Sequence, residues 1–140
     1  MKVRDIMTTQ VQWVARNTSL VEAAQMMAQQ DFGSVPVCEG DRLLGMVTDR
    51  DIVVRCVAKG QDCSSTTVDQ VMSKPVHSVT PDTDVHQASD LMAQQQVRRL
   101  PVEDNGRLVG IVALGDMAVE QIHINEAGDA LSDISQGVHH

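Results

Sequence analysis

Two short stretches of this chain carry residues able to do chemistry, and both end in a carboxylate. The first reads Gly45-Met46-Val47-Thr48-Asp49-Arg50-Asp51 and the second Gly110-Ile111-Val112-Ala113-Leu114-Gly115-Asp116. Thr48 and Asp51 have the spacing of a reciprocal capping box, with Thr48 at the N-cap of a helix. The second stretch keeps Asp116 but has Ala113 where the hydroxyl would be. A reciprocal cap needs both ends, whereas a carboxylate that accepts hydrogen bonds from a bound molecule does not. The N–H groups at a helix N-terminus suit a phosphate, and an ionised Asp can accept from two neighbouring hydroxyls, as on a ribose. Cap and ligand acceptor both remain open for Asp51 at this level.

The two stretches correspond because the whole chain repeats. An offset of 65 positions carries Pro36-Val37 onto Pro101-Val102, Arg42-Leu43 onto Arg107-Leu108, and Met27-Ala28-Gln29-Gln30 onto Met92-Ala93-Gln94-Gln95. Met7, Thr18, Gly45 and Asp51 likewise meet Met72, Thr83, Gly110 and Asp116 without a gap. Roughly a third of the aligned positions are identical, which marks two homologous units rather than chance. A single unit of this length would barely bury a core, so the two are expected to pack as one module with a pseudo-twofold.

Each repeat must supply elements that hold its carboxylate in place. A helical turn opens each unit, Val3 to Met7 and Val68 to Met72, followed by β-rich pieces at Val11–Val14 and Val76–Val79. Ser19 and Asp84 stand three residues before Glu22 and Gln87, a helix-start signal. Leu20, Ala23, Ala24 and Met27 then recur at helical spacing, as do Val85, Ala88, Leu91 and Met92. Strands are predicted at Val35–Cys38 and Leu43–Val47, and again at Leu100–Glu103 and Leu108–Val112. Glu39-Gly40-Asp41 and Asp104-Asn105-Gly106 turn the chain between them, Asn-Gly being the stronger hairpin signal. Second helices run from Asp51 towards Ala58, closed by Gly60, and from Asp116 towards Ile124. The pattern is β-α-β-β-α twice, an α/β (α+β) chain. Residues 1–60 form the first repeat, 61–67 a linker, 68–124 the second repeat, and 125–140 a tail with a short docking helix at Ala130, Leu131 and Ile134.

Composition narrows the function. The chain of 140 residues has a formal charge of −8, one Trp (Trp13), one Phe (Phe32) and no Tyr. With no basic excess to release counterions and no aromatic platform for bases, nucleic acid is not the expected partner. No apolar run approaches the ~18 residues a membrane span needs, and Met1 to Asp5 has no signal-peptide character. Cytoplasm is the expected location. The three cysteines, Cys38, Cys56 and Cys63, form no C-x-x-C pair and give no metal-ligand spacing. They are expected to be buried or incidental thiols, with a Cys–Cys bridge or a metal site as the alternative. No Ser-His-Asp order, zincin helix or P-loop is present, and His77, His86 and His123 stand isolated. No catalytic or metal site is expected.

The repeat order, the Pro-Val strand start, and Gly-Met-Val-Thr-Asp-Arg-Asp with its echo Gly-Ile-Val-Ala-Leu-Gly-Asp strongly resemble the CBS domain. Residues 1–124 look like a stand-alone CBS pair, or Bateman module, of the small bacterial kind. The resemblance implies two β-α-β-β-α units in a disc-like module that binds AMP, ADP, ATP or S-adenosylmethionine in two clefts between its repeats. Carried over by position, the ribose-binding carboxylate falls on Asp51 and Asp116 and the phosphate-contacting hydroxyl on Thr48, with Ala113 as the departure. The adenine-facing aliphatic falls on Met46 and Ile111. The family's cleft pattern adds Val97, Arg98 and Arg99 to Asp51, and Phe32, Gly33 and Ser34 to Asp116. Arg98 and Arg99 would suit a phosphate tail; a solvated surface pair is the other account of them. CBS pairs also occur within IMP dehydrogenases, whose catalytic barrel needs a further ~250 residues. The resemblance therefore implies a regulatory sensor, pairing as a homodimer and acting on an unknown regulated protein. A structural module with empty clefts and a redox-responsive dimer using the cysteines are the alternatives.

Overall fold

The computed structural model describes residues 1–74 and 77–123. Val76, the expected start of a strand, and the tail from residue 124, with its expected docking helix, lie outside the described residues. The fold is mixed α and β, with a sheet in the order β1-β2-β3-β5-β4. The first repeat contributes β1 (Val14–Ala15), α1 (Leu20–Gln30), β2 (Ser34–Glu39), β3 (Arg42–Thr48) and α2 (Asp49–Ile52), which continues as a π-helical turn over Val53–Val57. The second contributes α3 (Val85–Gln95), β4 (Arg99–Asp104), β5 (Arg107–Ala113) and α4 (Leu114–His123). Tight 3-10 turns at Val3–Asp5 and Val68–Gln70 stand where the opening turns were expected.

Contacts divide the chain into two units that do not coincide with the repeats. One holds Gln10–His77 and the hairpin tip Glu103–Leu108; the other holds Met1–Thr9, Ser78–Val102 and the described chain from Val109. The opening segment therefore belongs with the second repeat, and the stretch from Val68 with the first.

In the unit built on the first repeat, β1 runs parallel to β2 through Val14↔Val37 and Ala15↔Cys38. Strand β2 pairs antiparallel with β3 from Ser34↔Thr48 to Glu39↔Arg42, with a bulge between Val37 and Cys38. Val35, Pro36, Val37 and Cys38 are all buried, the unbroken apolar run of a strand covered on both faces. Proline is tolerated there because β1 is short: its pairing begins only at Val37. Leu20, Ala23 and Met27 form the buried stripe of α1 and pack with Val47, Ile52 and Val68. The tip of the second hairpin joins this unit through Arg42↔Arg107, with Leu108 N–H donating to Asp41 O at 2.8 Å.

In the other unit, Val3 is fully buried with Val79, Met92, Leu100, Val102 and Val112. Val3 N–H donates to Thr83 O at 2.8 Å, and Val79 bridges Val102 in parallel. At the hairpin tip, which belongs to the first unit, Asn105 (φ 52°) and Gly106 (φ 83°) are the two successive left-handed residues of the turn.

Several local expectations are corrected. The first strand is two residues, Val14–Ala15, rather than Val11–Val14; the pairing with β2 begins only at Val14, so residues 11–13 lie ahead of it. The second helix begins at Asp49 rather than Asp51, since Thr48 is already the cap. Asp84 caps α3 through His86 N–H at 2.8 Å, not through residue 87. Helices α1 and α3 end on left-handed Asp31 (φ 58°) and Gln96 (φ 55°), where no glycine announced a stop.

Candidate functional site

The two carboxylate corners are positioned by the same device. In the first, Ser73 lies antiparallel against Met46, with Ser73 N–H donating to Met46 O at 2.8 Å. In the second, Thr8 lies against Ile111, with hydrogen bonds of 2.8 and 2.9 Å in the two directions. The crossing is so close that glycine is required beneath it. A Cβ on Gly45 would sit 2.7 Å from Met72 Sδ and 3.0 Å from Ser73 O. On Gly110 it would sit 2.8 Å from Met7 Sδ and 3.0 Å from Thr8 O. Thus Gly45, Gly110, Met7 and Met72, each conserved between the repeats, hold a short crossing segment beside the end of a strand. The helix that follows that strand carries the carboxylate.

At the first corner, Thr48 caps α2 and the box is complete. Asp51 N–H donates to Thr48 Oγ1 at 2.9 Å, and Thr48 N–H donates to Asp51 Oδ2 at 3.0 Å. Ser73 Oγ donates to the same Oδ2 at 3.5 Å. Asp51 is only 9% exposed. Its other oxygen, Oδ1, faces Arg55 Nε at 3.8 Å, an ion pair longer than a hydrogen bond. Arg55 meanwhile donates through Nη1 to Val71 O at 3.0 Å and to Met72 O at 3.4 Å. Gly33 and Ser34 belong to this corner by geometry. Asp49 N–H donates to Gly33 O at 3.0 Å, and Ser34 pairs with Thr48. Phe32 and Met46 are half-buried.

At the second corner, Asp116 is half-buried in the first turn of α4, and Ala113 offers no hydroxyl. Leu114 N–H donates to Arg98 O at 2.9 Å, the counterpart of the Asp49–Gly33 bond. Arg99 is half-buried. Burial lowers the pKa of its guanidinium, and the charge of Asp116 partly offsets that shift. Val97 is half-buried, Arg98 exposed and Ile111 buried.

Within each unit, then, the strand entry and the helix entry come together: Gly33 and Ser34 with Thr48 and Asp51, Arg98 and Arg99 with Asp116. Asp51 and the Val97–Arg99 segment fall in different units, as do Asp116 and the Phe32–Ser34 segment. Two participants escaped the sequence reasoning. Arg55 was legible as the i+4 partner of Asp51. Ser73 was legible as the hydroxyl that the repeat offset matches to Thr8. Their roles come from the crossing segment, which has no local signature.

The arrangement offers a shielded carboxylate at a helix start, a hydroxyl beside it and an apolar strand residue next to both. A carboxylate and a hydroxyl so placed can accept from and donate to a bound polar molecule. The CBS domain family model matches residues 3–57 and 68–122. The chain belongs to the CBS-domain family and contains two copies of the domain, a pairing that forms a regulatory ligand-binding fold. It is 50% identical over 138 residues to the CBS domain-containing protein YhcV of Bacillus subtilis (strain 168), covering 98% of each chain. Among solved structures, Hypoxic Response Protein I with two coordinated zinc ions aligns with a TM-score of 0.78 at 38% identity, covering 85% of this chain and 98% of that one. CBSX2 in complex with AMP aligns with a TM-score of 0.76 at 25% identity, covering 88% and 97%. Among the described residues, no cluster of His, Cys, Asp or Glu could hold a metal ion, and no helix is long and apolar enough to cross a membrane.

Proposed function

We propose that this protein is a regulatory sensor of an adenosine-containing ligand: AMP, ADP, ATP or S-adenosylmethionine. One observation carries the proposal. Asp51 is nearly buried, yet among the described residues its Oδ1 has only the long ion pair with Arg55 and stays open to solvent. A ribose diol would satisfy that oxygen. Thr48 Oγ1 accepts from Asp51 N–H, so its own proton stays available to donate to a phosphate. Met46 and Ile111 would take the adenine face, and Asp116 would be the second ribose acceptor. Ala113 offers a phosphate nothing there, so the tighter site for a phosphorylated ligand is the one at Asp51. The AMP bound by CBSX2 supports the ligand class.

The same proposal has two copies of the chain pairing through the helices led by Asp51 and Asp116, in the cytoplasm, to act on another protein. Val53, Val54 and Val57 support it, being 57%, 46% and 58% exposed on the turn that extends α2. The completed capping box favours a second function, a structural module in which Asp51 is a cap and no ligand binds. Calorimetric titration with AMP, ATP and S-adenosylmethionine decides between them. Micromolar binding that weakens in Asp51→Asn supports the sensor, and no heat with any of the three supports the structural module.

A further inference from the structure

Cys56 and Cys63 hold their sulfurs 3.0 Å apart, about 1 Å more than the ~2.05 Å of a disulfide bond. Cys56 is fully buried in the π-helical turn after α2, and Cys63 is half-buried on the loop that follows. The backbone on both sides is tied down. Lys59 and Gln61 N–H donate to Cys56 O at 3.2 and 3.1 Å, and left-handed Gly60 (φ 70°) reverses the chain. Asp62 accepts from Ser64 N–H through its side chain at 2.9 Å and from Thr66 N–H through its carbonyl at 3.0 Å. Cys63 O takes Val21 N–H, in the first turn of α1, at 3.2 Å. The two sulfurs therefore approach each other from anchored positions, with about 1 Å left to close.

We infer that Cys56 and Cys63 form a reversible modification site, closed to an intramolecular disulfide by a peroxide. The more exposed sulfur reacts first. The Cys63 sulfur attacks one peroxide oxygen, the O–O bond breaks, and the thiol proton leaves with the departing oxygen as water. Cys63 is then a sulfenic acid. The Cys56 sulfur displaces its hydroxyl, the S–S bond forms, and that hydroxyl leaves with the Cys56 proton as a second water. Two electrons pass from the sulfur pair to the peroxide oxygens, and a dithiol reductant reverses the step. The hydrogen bond with Cys56 raises the pKa of the Cys63 thiol, with burial, Cys56 and Asp62 adding to the shift. Little thiolate is present at neutral pH, so closure quickens as pH rises. Cys38 is an internal control: it is fully buried, with its pKa pushed up to about 11 by burial and by Asp41.

The bond would tie the helix that carries Asp51 and Arg55 to the loop leading into the Val68–Ser73 segment, which Arg55 grips. Its formation does not depend on any ligand. The experiment treats the full chain with hydrogen peroxide, alkylates it after unfolding, and reads intact mass and peptide maps. The expected result is loss of the mass of two hydrogens, a Cys56–Cys63 crosslinked peptide, and a fall in alkylatable thiols from three to one, all reversed by dithiothreitol. In Cys63→Ser all three changes should vanish. Oxygen adducts without a crosslink, a disulfide-linked dimer, consumption of Cys38, or no reaction would each overturn the proposal.

Discussion

Replacing Asp51 with Asn separates a helix cap from a ligand acceptor, because the two roles use different oxygens. Asn can present its carbonyl oxygen where Oδ2 accepts Thr48 N–H at 3.0 Å, so the capping geometry survives. The substitution loses the charge at the helix N-terminus, about 0.3–1 kcal/mol. It also loses the 3.8 Å pair with Arg55, whose side chain is 48% exposed, about 0.3–0.5 kcal/mol as for i,i+4 pairs. Stability should therefore fall by roughly 0.5–1.5 kcal/mol, a few degrees in Tm for a domain of this size. Binding should fall further, since the amide NH2 would now stand where Oδ1 met the ribose. A hydrogen bond to a charged group contributes about 1.5–3 kcal/mol, or on the order of ten- to a hundredfold in Kd. Thermal melts with and without saturating AMP read both effects on one sample. If Asp51→Asn keeps the full nucleotide-induced shift of the parent, the ligand role is wrong and the capping box is the whole of its function.

Thr48→Ala should weaken AMP by more than it weakens adenosine in calorimetry, and equal losses would remove the phosphate contact from Thr48. Gly45→Ala and Gly110→Ala should each cost about 1–3 kcal/mol in urea melts, because the new Cβ meets a methionine sulfur and a backbone oxygen; unchanged midpoints would mean that the crossing segments are loosely held. In light scattering the parent should run as a dimer and Val53→Asp with Val57→Asp as a ~15 kDa monomer. A monomeric parent would refute the assembly. The thiol form of Cys38 is favoured in the fold, its pKa raised from 9.0 to about 11. Its contribution is complete below pH 9 and is lost as pH rises through 11. Cys38→Ala should therefore lose less stability than the parent between those values, and parallel losses would contradict the burial argument.

The repeat offset, the helix starts at Ser19 and Thr48, and the four long strands were legible because each has a local cause: a capping side chain, an apolar run or an Asn-Gly turn. What hid from the sequence was non-local. The shortness of β1 depends on which strand it meets. The grouping of Met1–Thr9 with the second repeat depends on a pairing of Lys2 with Asp84 and of Thr8 with Ile111. Gly45 and Gly110 were visible as matched positions, but the methionine beneath which each must fit was not. At the candidate site, Thr48 and Asp51 were legible together through their spacing. The partnership of Asp51 with Arg55 and Ser73 needed the crossing segment in place. The left-handed ends at Asp31 and Gln96 had no signal, since neither residue is the usual choice for that conformation.

The placement of the opening segment has a consequence for how the chain can be cut and made. Val3 is fully buried among second-repeat residues, while Val68 and Met72 are buried among first-repeat residues. A fragment ending at residue 60 would therefore lack part of its own interior and carry an opening segment that belongs elsewhere. During synthesis the first nine residues wait for a partner made later, and the unit built on the first repeat is completed only when residues 68–77 and the hairpin tip Glu103–Leu108 emerge. Conversely, two fragments split within 61–67 each hold the piece the other lacks. Coexpressed, they should recover the native fold without a covalent link, as complementing halves.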